Sequence, residues 1–423
     1  MKYNKIKKKF IYFFLKKKHK IINYSTIINN DNSKMLFINS GINKLKDYFL
    51  KNKKIKYTRI ANAQKCIRIN DIKSVGKDNF HHTFFEMLGN WSIGNYNMYK
   101  AIKYSWTLIT KIFNISKDRI YVTIFKGNKE HKLKKDIKTY IYWKQFINKN
   151  KIFFKGFKDN FWKIDNFNLC GPCTEIYINI TKNNNIKFKK NKNFIELWNI
   201  VNIKYIINKK KILLNNNFSS NNYIDTGMGL ERLAMILQNK KSTYDIDIFN
   251  PIKKKIKKVL NIFSKHNKKY KILINIIIDH IRSICYIMNN NIYPDNKKYG
   301  YVLRKLIRRC LIYRYKIQDK KTPFLYKIIN IAYKIVFNKE DNKKIDIIKT
   351  KLKDEENFYF LSIKKNIKLM LLYLKNNNIK ILDKNKILYI YSTYGIYYFI
   401  VKRNINKKIK IIDFKDIKNN IEL

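Results

Sequence analysis

Up to about residue 245 the apolar residues come in short runs between polar turns, as in KMLFINSG, RIYVTIF, TEIYINI and FIELWNIV; beyond it they form long isoleucine and leucine runs spaced by lysine. Short β-branched and aromatic runs predict strands, and a long periodic run with little Gly or Pro predicts helix. The expected fold is therefore α+β. A mostly antiparallel sheet flanked by helices should occupy residues 1–245, followed by a mainly helical domain over 246–423. With 45% hydrophobic and 15% aromatic content, the 423 residues can bury a real core.

The basic, apolar N-terminus resembles a targeting segment at first sight. However, Ile6, Phe10, Phe13 and Phe14 share one helical face and no small-residue cleavage site follows, which predicts an amphipathic helix of the fold itself. No apolar run reaches the roughly 18 residues needed to cross a bilayer. No membrane association is expected, and the chain reads as cytoplasmic.

Lys+Arg 92 against Asp+Glu 29 gives a formal net charge of +63, which suits a polyanionic partner. Lysine, asparagine and isoleucine are overused together even in loops such as TKNNNIKFKKNKN, so the charge is compatible with RNA binding without identifying it. Five cysteines, an odd number without framework spacing, point to a reducing compartment. Cys170 and Cys173 stand at a CxxC interval but have no companion pair, so a buried structural turn is expected there. No two of the six histidines are four apart. No zinc is expected.

Two strings keep glycine, carboxylate, arginine and aromatic residues in close order: DTGMGLERLA (225–234) and HHTFFEMLGNWSIG (81–94). Holding ATP with its α-phosphate open to attack calls for guanidinium groups on the phosphates, whose planar fork matches phosphate oxygens, and an aromatic face for the base. Arg68, Arg232 and Phe85 are the candidates. Gly227 and Gly229 suggest a turn that lets backbone approach a ligand closely. Arg68 taken alone is an ordinary strand-end arginine.

The order of the strings carries more than any residue. QKCIR, HHTFFEMLGN, DNFW, CGPCTEI, IELWNIV, DTGMGLER, YDIDIF, DHIRS and GYVLRKLIRR follow one another between residues 64 and 309. In this the chain resembles the class II aminoacyl-tRNA synthetases and, within them, the alanyl-tRNA synthetase family, in a truncated form. The resemblance implies a ligase that activates alanine with ATP and passes it from the adenylate to the 3′ end of tRNA(Ala). It implies Arg68 on the α-phosphate, Phe85 and Arg232 around the adenine, and Arg232 also on the γ-phosphate. It places Asp225 on the alanine ammonium and Trp162, Val201 and Gly227 around its methyl group. Magnesium should accompany ATP, with Glu175 and Glu196 as candidate ligands.

For tRNA, the resemblance implies that Asn296 reads a guanine–uracil wobble pair in the acceptor stem from its minor groove. Ser392, in STYGIY, stands where the family has a second reader, an aspartate. Arg304 and Arg308, four apart in a helix-like run with Lys305 and Arg309 beside them, are expected to meet RNA phosphates. The motif 2 loop, RINDIKSVG from Arg68, is four residues shorter than in the family, and the motif 1 region, NDNSKMLF, lacks its usual proline. HxxxH and CxxxH patterns are absent from the sequence, so an enzyme without editing in cis, and monomeric, is expected. Two other readings remain at this point: a non-catalytic tRNA-binding protein, or an adenylate-forming ligase that loads another carrier. Retention of Arg68, Phe85, Asp225 and Arg232 speaks against the first, and the helical half against the second.

Overall fold

The computed structural model describes residues 1–22, 26–28, 36–50, 56–163, 168–181, 188, 193–208, 211–214, 223–263, 267–406 and 409–412. These form two compact units: Met1–Ile69 with His82–Ile248, and Asn70–His81 with Phe249–Leu423. Most of the NDNSKMLF and TKNNNIKFKKNKN strings lie outside the described residues.

The strands of the first unit are β1 Lys20–Ile21, β2 Arg59–Ile67, β3 Phe84–Ile93, β4 Ile120–Phe125, β5 Ile152–Lys155, β6 Phe161–Lys163, β7 Leu169–Asn179, β8 Phe194–Asn202, β9 Tyr205–Asn208, β10 Lys211–Leu214 and β11 Tyr223–Gly229. The main sheet runs β1-β2-β3-β11-β8-β7-β4-β5. Pairing is antiparallel from β2 through β4 and parallel only in the outer pairs β1–β2 and β4–β5. The α+β expectation holds in both its parts.

The first unit's helices are α1 Tyr3–Lys16, α2 Lys46–Phe49, α3 Met98–Thr107, α4 Ile137–Lys144, α5 Phe157–Asn160 and α6 Leu230–Leu237. Ile6, Phe10, Phe13 and Phe14 are all buried, so α1 is the core-facing helix that its spacing predicts. Phe10 and Phe14 sit 6.1 and 6.5 Å, ring to ring, from Trp198 of β8. One face of the sheet is thereby covered. Because side chains alternate along strands, Phe85, Met87, Gly89 and Trp91 of β3 and Asp225, Gly227 and Gly229 of β11 share the opposite face.

Three local expectations change. The described part of KMLFINSG, residues 36–41, is not a strand: Phe37 makes an isolated bridge to Ile28, and Gly41–Lys44 forms one 3₁₀ turn. The Asn43 side chain accepts from the Ser40 backbone at 2.8 Å and from the Ser40 hydroxyl at 2.9 Å, which competes with ladder formation. Gly227 and Gly229 lie within β11 and not in a turn. Cys170 and Cys173 likewise belong to β7; the ladder to β8 begins at Cys173, just past Pro172, so the missing proline N–H costs no bond there.

The second unit holds α7 Asn250–Leu260, α8 Lys268–Asn289, α9 Lys298–Gln318, α10 Ile329–Phe337, α11 Asn342–Asn376, α12 Lys384–Tyr394 and α13 Tyr398–Asn404, with a small pair β12 Ile381–Leu382 and β13 Lys410–Ile411. Pro251 sits in the first turn of α7, where its missing N–H is harmless. Contrary to the sequence expectation, α8 is long and apolar enough to cross a membrane, with 22 residues and a mean hydropathy of 1.3. Its side chains from Leu273 to Met288 are buried within the described structure, Asp279, His280 and Arg282 among them. That pattern is a core helix, apolar on every side because neighbours surround it.

Candidate active site

The ligand-accessible chemistry of the first unit is set out along the open sheet face. Arg68 is the first residue past β2, and its guanidinium lies over the Phe85 ring at 5.1 Å. Its Nε donates to the Asn39 carbonyl at 3.0 Å, and its two terminal nitrogens have no hydrogen-bond partner among the described residues. The register puts Phe85 opposite Cys66 and Gly229 opposite Met87. Arg232, in the first turn of α6, therefore flanks the same end of the sheet as Phe85.

Arg232 Nη1 donates to the Glu196 carbonyl at 2.8 Å and lies 3.6 Å from Glu196 Oε2. The carboxylate reaches this face through a β-bulge. Between β7 and β8, Ile176 pairs with Trp198 but Tyr177 pairs with Glu196, leaving Leu197 as the extra residue. Strict alternation would put Glu196 and Asn199 on opposite faces; the bulge brings both onto the ligand face beside Glu175. Glu175 is buried, accepts from the Tyr177 hydroxyl at 2.8 Å and receives the Asn199 amide at 3.4 Å. Burial first, then the charge of Glu175, pushes the Tyr177 hydroxyl up, which keeps it a donor.

At the other end, Asp225 Oδ1 accepts from the Trp91 indole Nε1 at 2.6 Å. Burial pushes the Asp225 carboxyl up to about 7, against the lowering effect of the Trp91 and Thr226 hydrogen bonds. The indole lies flat across two glycines: a Cβ on Gly89 would come 2.2 Å from it and a Cβ on Gly41 2.5 Å. Val201 is paired with Asp225 and with Cys173, and Trp162 packs against the cluster that contains Trp91, Cys173 and Val201. A Cβ on Gly227 would meet Met87 Sδ at 2.9 Å. Trp91 and Phe85 stand six residues apart on β3, roughly 20 Å of strand.

Between these ends the register aligns Asn62, Gly89, Gly227, Asn199 and Glu175 across five strands. Among the described residues, both polar atoms of the buried Asn62 side chain, and Oδ1 of Asn199, have no hydrogen-bond partner. The sheet thus brings Phe85, Gly227, Asp225, Val201 and Trp162 onto one continuous face, with Arg68 and Arg232 at its Phe85 end. Sequence reasoning passed over Trp91, Asn62 and Asn199. Trp91 was legible, since it lies six residues from Phe85 in an alternating run, whereas the two asparagines show their place only once strand pairing is known.

The family model described as tRNA synthetases class II (A) matches residues 5–422. The chain belongs to that family. It is similar to the alanine--tRNA ligase of Cytophaga hutchinsonii, 38% identical over 338 residues that cover 77% of this chain and 38% of that protein. It is also similar to the alanine--tRNA ligase of Buchnera aphidicola subsp. Schizaphis graminum, 37% identical over 435 residues that cover 97% of this chain and 47% of that protein. The chain spans less than half the length of these relatives.

Within this class II chain, magnesium is tested against the carboxylates present. Glu175 and Glu196 share a face, which fits a hard cation that takes its remaining ligands from phosphate and water. Among the described residues no cluster of three or more His, Cys, Asp or Glu could hold a metal by itself. Cys170 and Cys173 are buried, and burial pushes the Cys170 thiol up to about 12. That favours the protonated thiol, a poor metal ligand.

The residues singled out for tRNA are all in the second unit. Asn296 is exposed, and its side-chain oxygen accepts from Arg304 Nη1. Arg304 Nε also donates to both oxygens of Glu355, at 3.0 and 3.1 Å, and Arg308 Nη2 reaches Glu355 at 3.5 Å. The two arginines do share a face of α9, but that face carries a buried counter-charge and is no bare basic ridge. Arg309 departs further: it is buried and turned to the interior of the second unit. Ser392 is exposed on α12 and donates to the Tyr389 carbonyl at 3.1 Å.

Proposed function

We propose that this chain activates alanine with ATP to alanyl-adenylate and transfers it to the 3′ end of tRNA(Ala) in the cytoplasm. The observation that carries the reading is the single sheet face with Asp225, Val201 and Trp162 at one end, Phe85 and Arg232 at the other, and Arg68 alongside. An anionic α-phosphate and a cationic amino group need opposite charges a fixed distance apart, and a rigid sheet supplies that fixed distance.

In this reading one alanine carboxylate oxygen attacks the α-phosphorus, a C–O–P bond forms, and the bond to the β-phosphate breaks to release pyrophosphate. Arg68, whose terminal nitrogens have no partner among the described residues, neutralises the α-phosphate as charge gathers on it. Phe85 and Arg232 sandwich the adenine. Ionised Asp225, oriented by Trp91, takes the ammonium; Trp162, Val201 and Gly227 wall the methyl group. Magnesium, held through Glu175 and Glu196, would offset phosphate charge. A tRNA ribose hydroxyl then attacks the alanyl carbonyl and AMP leaves.

Asn296 reads the acceptor-stem wobble pair, with the amide nitrogen as donor because Arg304 occupies its oxygen. Arg304 and Arg308 offer phosphates only the N–H groups that Glu355 leaves over. The five cysteines are buried and unbridged, in keeping with a reducing cytoplasm. The test is alanine-dependent ATP–pyrophosphate exchange followed by charging of an acceptor-stem minihelix with and without the wobble pair. Exchange and wobble-dependent charging are expected. Asn296→Ala should cut charging and spare exchange; equal loss of both rejects its assignment, and no exchange in the wild type rejects the reading altogether.

A further inference from the structure

The stretch GYVLRKLIRR looks uniformly suited to RNA, yet one of its arginines has another occupation. Arg309 is buried; Nη1 donates to His280 Nε2 at 2.9 Å and Nη2 donates to the Val75 carbonyl at 3.1 Å. His280, on α8, is fully buried and its Nδ1 lies 2.9 Å from Asp279 Oδ2. Because the guanidinium can only donate, His280 Nε2 must accept. The imidazole proton then sits on Nδ1 and is donated to Asp279, so the ring is neutral. Burial, the largest effect on this ring, lowers its pKa in agreement.

Val75 lies in the β2–β3 hairpin tip, Asn70–His81, which belongs to the helical unit although the strands on either side belong to the other. The tip is seated closely. Val75 is fully buried, Gly76 has φ +82°, and a Cβ on Gly76 would come 2.5 Å from Ile276 Cγ1 and 3.1 Å from the Ile272 carbonyl. Arg68 is the first residue past the strand leading into the tip, and the strand leading out carries Phe85 as its second residue. Val75 is thus seven residues from one proposed ATP ligand and ten from the other.

We propose that Arg309 is a positioning residue for the ATP site: its fork, oriented through His280 by Asp279, fixes the hairpin tip and so the placement of Arg68 and Phe85. This rests on the alanine-activation reading above, but it makes a separate claim. The arginine that closes the supposed RNA-binding run acts on a step that involves no RNA. A lysine cannot replace it, because one ammonium cannot reproduce two bonds set at the angle of a planar fork.

The experiment is alanine-dependent ATP–pyrophosphate exchange, without tRNA, on the full chain and its Arg309→Lys and Gly76→Ala variants. Thermal melting of each variant is followed in parallel. Both are expected to raise KM for ATP roughly 10- to 100-fold, since small misplacement of binding groups carries penalties of that size, with KM for alanine within about two-fold. Gly76→Ala disturbs the tip without touching Arg309, so a shared ATP defect ties the effect to the tip. Arg314→Lys, on the same helix but bonded to Thr322 and not to the tip, is the control and should leave exchange unchanged. The proposal is overturned if folded Arg309→Lys keeps wild-type KM for ATP and loses only minihelix charging, or if both substrate KM values rise together. If the wild type shows no exchange, the activation reading fails instead, and the two failures are distinguishable.

Discussion

The candidate face of the sheet and the arginine-bearing flank of α9 are both polar, but they spend their polar atoms to different degrees. On the sheet, among the described residues, Asn62, Asn199 Oδ1 and the ends of Arg68 keep hydrogen-bonding capacity unspent. On α9, Arg304 and Arg308 converge on Glu355, Arg309 is spent on His280 and Val75, and Arg308 Nε is left buried without a partner among the described residues. Unsatisfied buried polar groups cost about 1 to 3 kcal/mol each, so a fold keeps them where a ligand completes them. A surplus of cations, by contrast, can be largely internal scaffolding.

The sharpest way to break this contrast lies in the self-satisfied unit. Glu356, fully buried on α11, accepts from the backbone N–H groups of Phe324, Leu325 and Tyr326 at 2.8, 3.0 and 3.2 Å. Glu356→Ala should lower folding stability by about 4 kcal/mol, read by chemical denaturation, while the folded fraction keeps alanine-dependent exchange. Loss of exchange in fully folded protein would mean that this unit, too, reserves groups for ligand.

The next effect is on the sheet. Asp225→Asn should lower kcat/KM for alanine roughly 100-fold, the scale for losing a buried charged partner. The carboxyl sits near 7 in the folded protein against 3.8 when free, so the folded state favours its protonated form. Its contribution to stability is therefore full below about pH 3.8 and is lost as pH rises through about 7. Alanine binding runs the other way, because the ammonium needs the ionised form. The wild-type kcat/KM for alanine should climb as pH rises through about 7 and the Asn variant should show no such step; matching profiles would remove Asp225 from the ammonium site.

The smallest expected effect sharpens the account of α9. Glu355→Gln leaves Arg304 without its counter-charge and loosens its hold on Asn296. KM for the wobble-bearing minihelix should rise roughly five-fold, on the scale of a partly buried ion pair, with exchange unchanged. A fall in KM would show instead that Glu355 restrains arginines otherwise available to phosphate.

Much of the first unit was legible because it obeys short-range rules. The α1 stripe of Ile6, Phe10, Phe13 and Phe14 and the LERLAMIL helix appear where periodicity puts them. So do the strand that stops just before Arg68 and the strand that carries Phe85. What was illegible depends on pairing. Glycines in DTGMG read as a turn because nothing local reveals that Met87 needs the space above Gly227 in a strand. Arg309 read as surface because i, i+4 spacing cannot tell which side of a helix a distant hairpin tip will occupy. The α8 run, with Asp279, His280 and Arg282 inside it, hid its membrane-length hydropathy behind those charges, and burial explains both features at once.

The extra residue at Leu197 has a consequence for how such a chain tolerates change. Lysine and asparagine can accumulate on exposed positions with little harm, since a replacement alters one side chain and leaves the count intact. A slip of the ladder that removed the bulge and paired Tyr177 with Leu197 would instead turn Glu196 to the other face, away from Glu175, although every chemical group was still encoded. In this strand, register is under tighter constraint than composition.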